Sequence, residues 1–497
     1  MEAYRNAVIF GSVVVYLLVC VAVGIWALRR TKSAHDFFMA GRSLGVMVTA
    51  MAIFSTTLSG FAFVGGPGLV YRMGMSSIWM VISSTIGFSL SSFLLAKRLR
   101  LFAELCDTAS LPDAVAARYN NEGTRFLTSI AILLGVFGYL ATQLLAMAMV
   151  GKSIVDATFG TNVSLTTCLV VSMLILVSYC VTGGIIASVY TDLFQGMIMM
   201  VGGTLVFIAA MMAVDGGPVG AMTTIMADDS EAASPWGTFG ILGCLSWYFL
   251  FVIGGLGQPH IITKNMMVKK IEDARRILPT SLLGYFFSAL LWIAIGLAMR
   301  ALVLSGKHPE LAGADLAAAE FLQYYAHPLL AGVVFAGLFA AIMSTADAFL
   351  NIGAAAVVHD IPNAIRGRSL DNELFWARTA TAVIAVLATL FALYSHFVNE
   401  RLVAILGAFG WGTFAAALVP TVAIGFNWKG ATPLAANVAI VTSLIFNLGV
   451  EIFGIAIPYG MSGGALSLVL SLILFFGISL AQGPKPIDPD VEAVMDL

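Results

Sequence analysis

Apolar runs of membrane-crossing length recur from one end of this chain to the other, and they constrain its fold more than any single motif. A helix needs about 20 apolar residues to cross a bilayer. Thirteen such runs, averaging about 22 residues, would take up more than half of the 497 residues. Charged residues make up 10% and hydrophobic residues 60%, against about 25% charged in a soluble domain. A water-soluble fold, a disordered chain and a disulfide-stapled secreted module are therefore excluded. The net charge of −2 comes with no basic patch, which argues against nucleic acid as a partner. The five cysteines are Cys20, Cys106, Cys168, Cys180 and Cys244. None forms a CxxC pair, and they read as small buried hydrophobes rather than redox or metal chemistry.

The apolar runs place spans at 8–28, 44–71, 75–96, 126–150, 163–181, 188–214, 239–261, 278–304, 328–358, 379–397, 402–426, 435–453 and 464–481. Spans 5 and 6 are separated by little more than Gly183 and Gly184, so one long helix is the alternative there. Span 1 is too long for a signal-peptide core, and Arg29, Arg30 and Lys32 follow it. It reads as a retained helix with its N-terminus outside. With that orientation, only Arg5, Arg72, Lys152, Arg300, Lys307 and Arg401 of the 25 basic residues lie outside, leaving 19 in cytoplasmic segments. Cytoplasmic loops carry the positive excess, so the bias supports thirteen spans and a cytoplasmic C-terminus. Residues 482–497, with Pro484, Pro486 and Pro489, read as a loose cytoplasmic tail. The whole chain, 1–497, reads as a single transmembrane unit.

Two spans are interrupted. Span 2 carries Ser59-Gly60-Phe61-Ala62-Phe63-Val64-Gly65-Gly66-Pro67-Gly68, and span 7 carries Gly254-Gly255-Leu256-Gly257-Gln258-Pro259-His260. Glycine and proline weaken the helical ladder, and backbone groups freed in lipid need protein, water or ligand partners. Close helix packing is the simpler explanation for any one glycine pair. The breaks, however, lie five spans apart, so the helices that carry them run in opposite directions. Paired interruptions in two inverted halves point to a transporter binding site. Residues 44–214 become the first repeat and 239–426 the second, with span 1 and residues 435–481 as additions.

Hydroxyls gather beside the first break. Ser55, Thr56, Thr57 and Ser59 lie on span 2, and Ser344 and Thr345 on span 9. At 1.5 Å per residue both groups lie roughly 17–21 Å from the cytoplasmic helix ends, near mid-membrane. Hydroxyls and unwound carbonyls suit a hard cation; the alternative is back-bonding to their own helix carbonyls. Carboxylates inside spans are few: Asp192, Asp347 and Glu451. Intramembrane charge is a functional hypothesis by default. Glu451 reads as snorkelling, Asp192 as a helix-terminus residue or a functional one, and Asp347 as needing a cation, a proton or a polar cavity. His260 and His359 read as interfacial. There is no metal spacing of His, Cys and Glu, no nucleophile elbow and no phosphate loop, so an enzyme is not expected.

At these residues the chain resembles the sodium:solute symporter family, especially its sodium/proline and pantothenate branches. The resemblance runs over nearly the whole chain. It is most specific in TTLSGFAFVGGPG (56–68), GGIIASVYTDLFQG (183–196), GQPHIITK (257–264) and AAIMSTADAFL (340–350). It implies an all-α polytopic fold with a LeuT-type inverted 5+5 repeat. It also implies a sodium site at Ser55, Leu58, Ala341, Ser344 and Thr345. Asp192 is implied in a second-cation or release role, beside Asp347 as a coupling candidate. The implied solute region is Ser59, Gly60 and Phe61, faced by Gln143, Phe251 and Gly255. Thr57 stands where the proline branch has aspartate. Phe251 and Gly255 match its aromatic pair on span 7, and Gln143 stands where a tyrosine is expected on span 4. These departures imply a less aromatic, larger pocket, and the GGPG stretch is similar to the pantothenate branch.

The reading is a sodium-coupled importer of a carboxylate or amino acid, working by alternating access in the plasma (inner) membrane. Its partners are sodium, the solute and the lipid bilayer. A proton-coupled carrier titrating at Asp347 or Asp192 and a transporter-like sensor are the alternatives.

Overall fold

The computed structural model describes residues 2–237, 239–399 and 403–496. Arg401 and the first residue of span 11 lie outside the described residues. The architecture is helical, and among the described residues the isolated bridges consist of one parallel pair, Leu44 with Val268. In chain order the main helices are α1 (Glu2–Leu28), α2 (Val46–Thr57), α3 (Gly66–Met73), α4 (Ile78–Leu105), α5 (Glu122–Phe159), α6 (Leu165–Ala213), α7 (Gly240–Gly254), α8 (Pro259–Met266), α9 (Ala274–Leu304), α10 (Pro328–Ala355), α11 (Glu373–Asn399), α12 (Val403–Leu418), α13 (Pro433–Ile452), α14 (Gly463–Gln482) and α15 (Pro489–Met495).

Eleven helical stretches among the described residues are long and apolar enough to cross a membrane. Val46–Thr57 and Leu165–Val181 are apolar but shorter. The first is short because span 2 breaks after Thr57, so that α2 and α3 together make the span. Phe61–Leu105 is one stretch that turns at Gly74, φ 61°. Spans 5 and 6 form the one helix α6, which bends at Gly184, φ 54° and ψ −149°. Only glycine fits this bend, since a Cβ would stand 2.5 Å from the Phe37 ring. Thr31, just past α1, donates to the Gly183 carbonyl at 3.1 Å. The end of one helix thus takes up a group at the bend of another, which lipid could not do.

Long helix α10 lies at the centre, packed against α6, α1 and α5. Its Ala331, Gly332, Ala336, Gly337, Ala340 and Ala341 let neighbours approach closely. At Gly332 a Cβ would stand 2.5 Å from Ser12 Oγ of α1. In lipid, where burial of apolar surface drives little, such close packing is the main adhesive. Helix α5 begins at Asn121, whose side chain accepts from Thr124 N at 2.9 Å, and stops at Gly160, φ 64°.

The tail is not loose. Asp488 caps α15, and Val491, Val494 and Met495, an i, i+3, i+4 set, are buried against the bundle. Lys429 pairs with Glu492 at 2.8 Å and Asp496 at 2.7 Å, and Arg98 of α4 donates to Met495 O at 3.4 Å. Exposed ion pairs contribute about 0–1 kcal/mol, whereas each buried apolar side chain contributes about 1.5–3 kcal/mol. The three apolar residues therefore hold the tail, and the ion pairs set its register.

Candidate functional site

Helix α2 ends because Leu58 leaves the helical region, φ −85° and ψ 84°. Ala62 N, which a continuous helix would aim at Leu58 O, donates instead to Ser59 O at 2.9 Å. The Leu58 carbonyl is thereby released from the ladder. Gly60 N donates to Gln143 Oε1 of α5 at 2.8 Å, and Phe61 N to Ser59 Oγ at 3.2 Å. A π-helical turn, Phe61–Gly65, then leads into α3. The room at Gly60 is tight, since a Cβ would stand 2.7 Å from Ala146 Cβ.

The hydroxyls of α2 and α10 meet in one buried seam. Ser55 Oγ lies 3.0 Å from Ser344 Oγ, and Thr56 Oγ1 lies 3.1 Å from the same atom. Thr345 Oγ1 donates to Thr56 O at 2.8 Å and to Ala341 O at 3.0 Å. Ser55, Ala341, Ser344 and Thr345 are thus brought together, with the Leu58 break one helical turn from Ser55. All five are buried. This is an oxygen-only set of hydroxyls and carbonyls, the chemistry that suits a small hard cation. Thr57 follows the back-bonding alternative, donating to Ile53 O at 2.7 Å, and its Oγ1 also accepts from Tyr285.

The two deep carboxylates diverge. Asp347 turns away from the seam toward α6, accepting from Ser188 Oγ at 2.7 Å and from the Tyr179 hydroxyl. It has the polar cage that its depth demands. Asp192 is fully buried and pairs with Lys264 at 2.8 Å. Lys264, on the last turn of α8, also donates to Ala52 O at 3.0 Å and to Thr56 Oγ1. Sequence reading placed Lys264 in a basic cytoplasmic segment; the bend at Gln258 carries it inside instead.

Beside the break lies a tight cavity of ≈ 30 Å³, with room for little more than water until the helices around it part. Seven aromatic side chains line it: Phe61, Phe88, Tyr139, Phe251, Tyr285, Trp292 and Trp411. Phe251 lies 5.8 Å from Phe61 and 5.0 Å from Trp411, and Phe88 stacks on Tyr285 at 5.2 Å. The polar groups of its lining residues are the hydroxyls of Thr57, Ser84, Thr85, Tyr139 and Tyr285 and the indole N–H groups of Trp292 and Trp411. No charged residue is among those lining it. The expectation of a less aromatic, larger pocket is therefore corrected. Gln143 does not line the cavity but braces the break. The tyrosine on α5 is Tyr139, one turn earlier, with its hydroxyl 3.1 Å from Ser59 Oγ. Gly255 does not line it either: a Cβ there would stand 2.9 Å from Gly87 Cα, so this glycine allows two backbones to touch. A larger groove of ≈ 630 Å³ between α1 and α6 is lined mostly by apolar side chains, which suits acyl chains rather than a polar solute.

His260 is buried, not interfacial; its ring lies 4.6 Å from Phe349 and 6.1 Å from Tyr139. His359 is partly buried between Asp113 at 2.9 Å and Glu373 at 2.7 Å. Tyr139, Tyr285, Trp292, Trp411 and Lys264 were missed as site residues. Only Tyr139 and Gln143, spaced i and i+4, left a signal, because that spacing puts both on one helix face.

The profile of the sodium:solute symporter family matches residues 37–442. The osmoregulated proline transporter OpuE of Bacillus subtilis (strain 168) is 29% identical over 433 residues, 84% of this chain and 83% of its own. A sodium/proline symporter of Staphylococcus aureus (strain JH9) is 28% identical over 435 residues, 84% of this chain and 81% of its own. A substrate-bound, outward-open Na+-coupled sialic acid symporter shares the fold, with TM-score 0.77 at 21% identity over 98% of this chain and 99% of that one. The nucleobase-cation-symport-1 transporter Mhp1 follows with TM-score 0.55 at 16% identity, covering 93% of this chain and 98% of its own.

Proposed function

Since this chain belongs to the sodium:solute symporter family, and so moves a small solute with sodium across a bilayer, we propose that its solute is proline or a similarly compact zwitterion. The observation that carries this reading is the aromatic cavity beside the α2 break, which has no charged side chain in its wall. A small apolar ring fits stacked aromatic faces. The charges of a zwitterion then fall to the broken helix. The carbonyl end of α2, where Leu58 O is released from the ladder, favours the ammonium group. The proline transporters among its relatives support the same choice.

Sodium binds at Ser55, Leu58, Ala341, Ser344 and Thr345 and straps α2 to α10, which completes the solute site. The repeats 44–214 and 239–426 then rock about that site, and both cargoes leave inward. The chain crosses the membrane thirteen times with its N-terminus outside and its C-terminus cytoplasmic, as the distribution of basic residues supports.

Thermal stability of the purified protein tests the solute. Proline is expected to raise the melting temperature, and to raise it further with sodium, while pantothenate and monocarboxylates do not. Stabilisation by another solute alone would overturn the assignment. Thr345→Ala tests the seam. Half-saturating sodium should rise about tenfold, as for the loss of one ligand or hydrogen bond, with the fold unchanged. An unaltered sodium affinity would remove the site.

A further inference from the structure

Three metal-ligating side chains meet where α10 ends. Past Ala355 the helix continues as a π-helical turn, Ala356–Asp360, which carries His359 and Asp360. Against it packs the short helix Leu111–Tyr119, between spans 3 and 4, which carries Asp113. Asp113, His359 and Asp360 each offer one ligand atom, and the three atoms lie within 4.8 Å of one another. Asp113 and His359 are 246 residues apart in the chain, so no sequence spacing announces the group. Two features set it apart from an ordinary ion cluster. Asp360 is 0% exposed and its Oδ1 accepts from the Ser110 hydroxyl, yet its Oδ2 has no hydrogen-bond partner among the described residues. A buried carboxylate oxygen is costly to leave in that state. The neighbouring guanidinium, Arg125, is divided between Asp113 at 2.7 Å and Glu122 at 2.8 Å. His359 turns Nε2 to Asp113 at 2.9 Å and holds Nδ1 on Glu373 at 2.7 Å. A carboxylate behind the far nitrogen is how proteins orient a metal-binding imidazole.

We propose that His359 Nε2, Asp113 Oδ2 and Asp360 Oδ2 form a binding site for a divalent transition ion of the zinc class, with Glu373 orienting the imidazole and water completing the coordination. Mixed imidazole and carboxylate donors suit zinc and its neighbours, whereas magnesium and calcium take oxygen alone. Two ligands of a tetrahedral zinc, each about 2.1 Å from it, lie about 3.4 Å apart. The His359 and Asp113 atoms, now 2.9 Å apart, therefore need part only slightly to admit the ion in place of the proton between them. The ion also brings the positive charge that Asp360 lacks. Once bound, it stitches the loop helix to α10, the helix that carries Ser344 and Thr345.

The test is equilibrium zinc binding to the purified full-length protein, free of any affinity tag and stripped with chelator, read by metal analysis after dialysis and by thermal shift. The native chain is expected to bind one zinc with micromolar or tighter affinity, to keep it in a large excess of magnesium or calcium, and to melt at a higher temperature with it. Asp360→Asn and His359→Gln should each lose that ion. Glu373→Gln, which removes no ligand, should weaken binding about tenfold. Cobalt(II) in place of zinc should give the intense visible bands of a four-coordinate site, and lose them in Asp360→Asn. A native chain that binds no zinc in this range would overturn the proposal. So would zinc held equally by native, Asp360→Asn and His359→Gln protein, or zinc displaced by magnesium or calcium. Where the ligand variants do not fold, Glu373→Gln decides: an unchanged zinc affinity would overturn the site.

Discussion

The two broken spans look alike in sequence and differ in what their breaks do. At the first, freed groups are met from elsewhere in the fold: Gln143 of α5 accepts from Gly60 N, and Thr345 of α10 donates to Thr56 O. At the second, the break is bridged mainly by its own side chain. Gln258 Nε2 donates to Gly254 O at 2.9 Å, one turn back, and to Trp411 O at 3.4 Å. Its glycines are used for contact, Gly255 on Gly87 and Gly257 against Val419 and the Phe414 carbonyl. A break that outside groups complete can respond to a ligand. A break that closes on itself serves as a joint. Inverted repeats thus supply two similar interruptions, and packing assigns them different work.

The comparison can be broken most forcefully at Gly255. Gly255→Val would press a branched side chain on the Gly87 backbone, which cannot rotate aside. It should cost about 3 kcal/mol or more, read as loss of monodisperse protein that proline and sodium do not rescue. Gly60→Ala adds a single methyl against Ala146, Gln143 and Ile342, a smaller addition than valine, and should give a smaller folding defect while losing solute-induced stabilisation. Equal folding defects in the two variants would erase the distinction.

A second contrast is electrostatic. The half of span 2 beyond its break rests on a carboxylate. Asp315 accepts from Val403 N at 2.9 Å, and a Cβ on Gly68 would stand 2.9 Å from its other oxygen. Burial pushes this carboxyl from the ordinary 3.8 up to about 6. Between those values the folded chain keeps a proton that the unfolded chain has released, so stability falls as pH rises from about 4 to 6 and is level above. The difference amounts to roughly 3 kcal/mol. Asp315→Asn keeps an acceptor for Val403 and should flatten the slope of melting temperature across that window; an unchanged slope would place the titration elsewhere.

Smaller effects separate the two glutamines. Gln143→Leu strands a buried N–H at Gly60, which costs about 2 kcal/mol, and should weaken solute-induced stabilisation more than it lowers the melting temperature. Gln258→Leu removes a bond within its own span, worth about 1 kcal/mol, and should lower the melting temperature with solute affinity kept. Reversed effects would mean that the second break is the ligand-responsive one.

Much of this was legible in the chain. The breaks, the apolar runs and the meeting of Ser55 with Ser344 and Thr345 follow from spacing and depth, because both are set along single helices. What escaped depends on rotation and bending. Tyr139 in an apolar helix reads as packing until the helix's orientation turns it toward Ser59. Lys264 reads as one more interfacial base until Gln258 bends its helix inward, and His260 moves in with it. Apolar Val491, Val494 and Met495 did carry a helical spacing, and the three prolines beside them masked it.

That docked tail matters in time as well as in space. Residues 489–495 leave the ribosome after every segment they touch. They play no part in inserting α4, and can only clamp a bundle already assembled. A chain cut before Pro489 keeps its membrane helices and the direct bond from Arg98 to Asn427 Oδ1 at 2.5 Å, and loses the bond from Arg98 to Met495 O and the partners of Lys429.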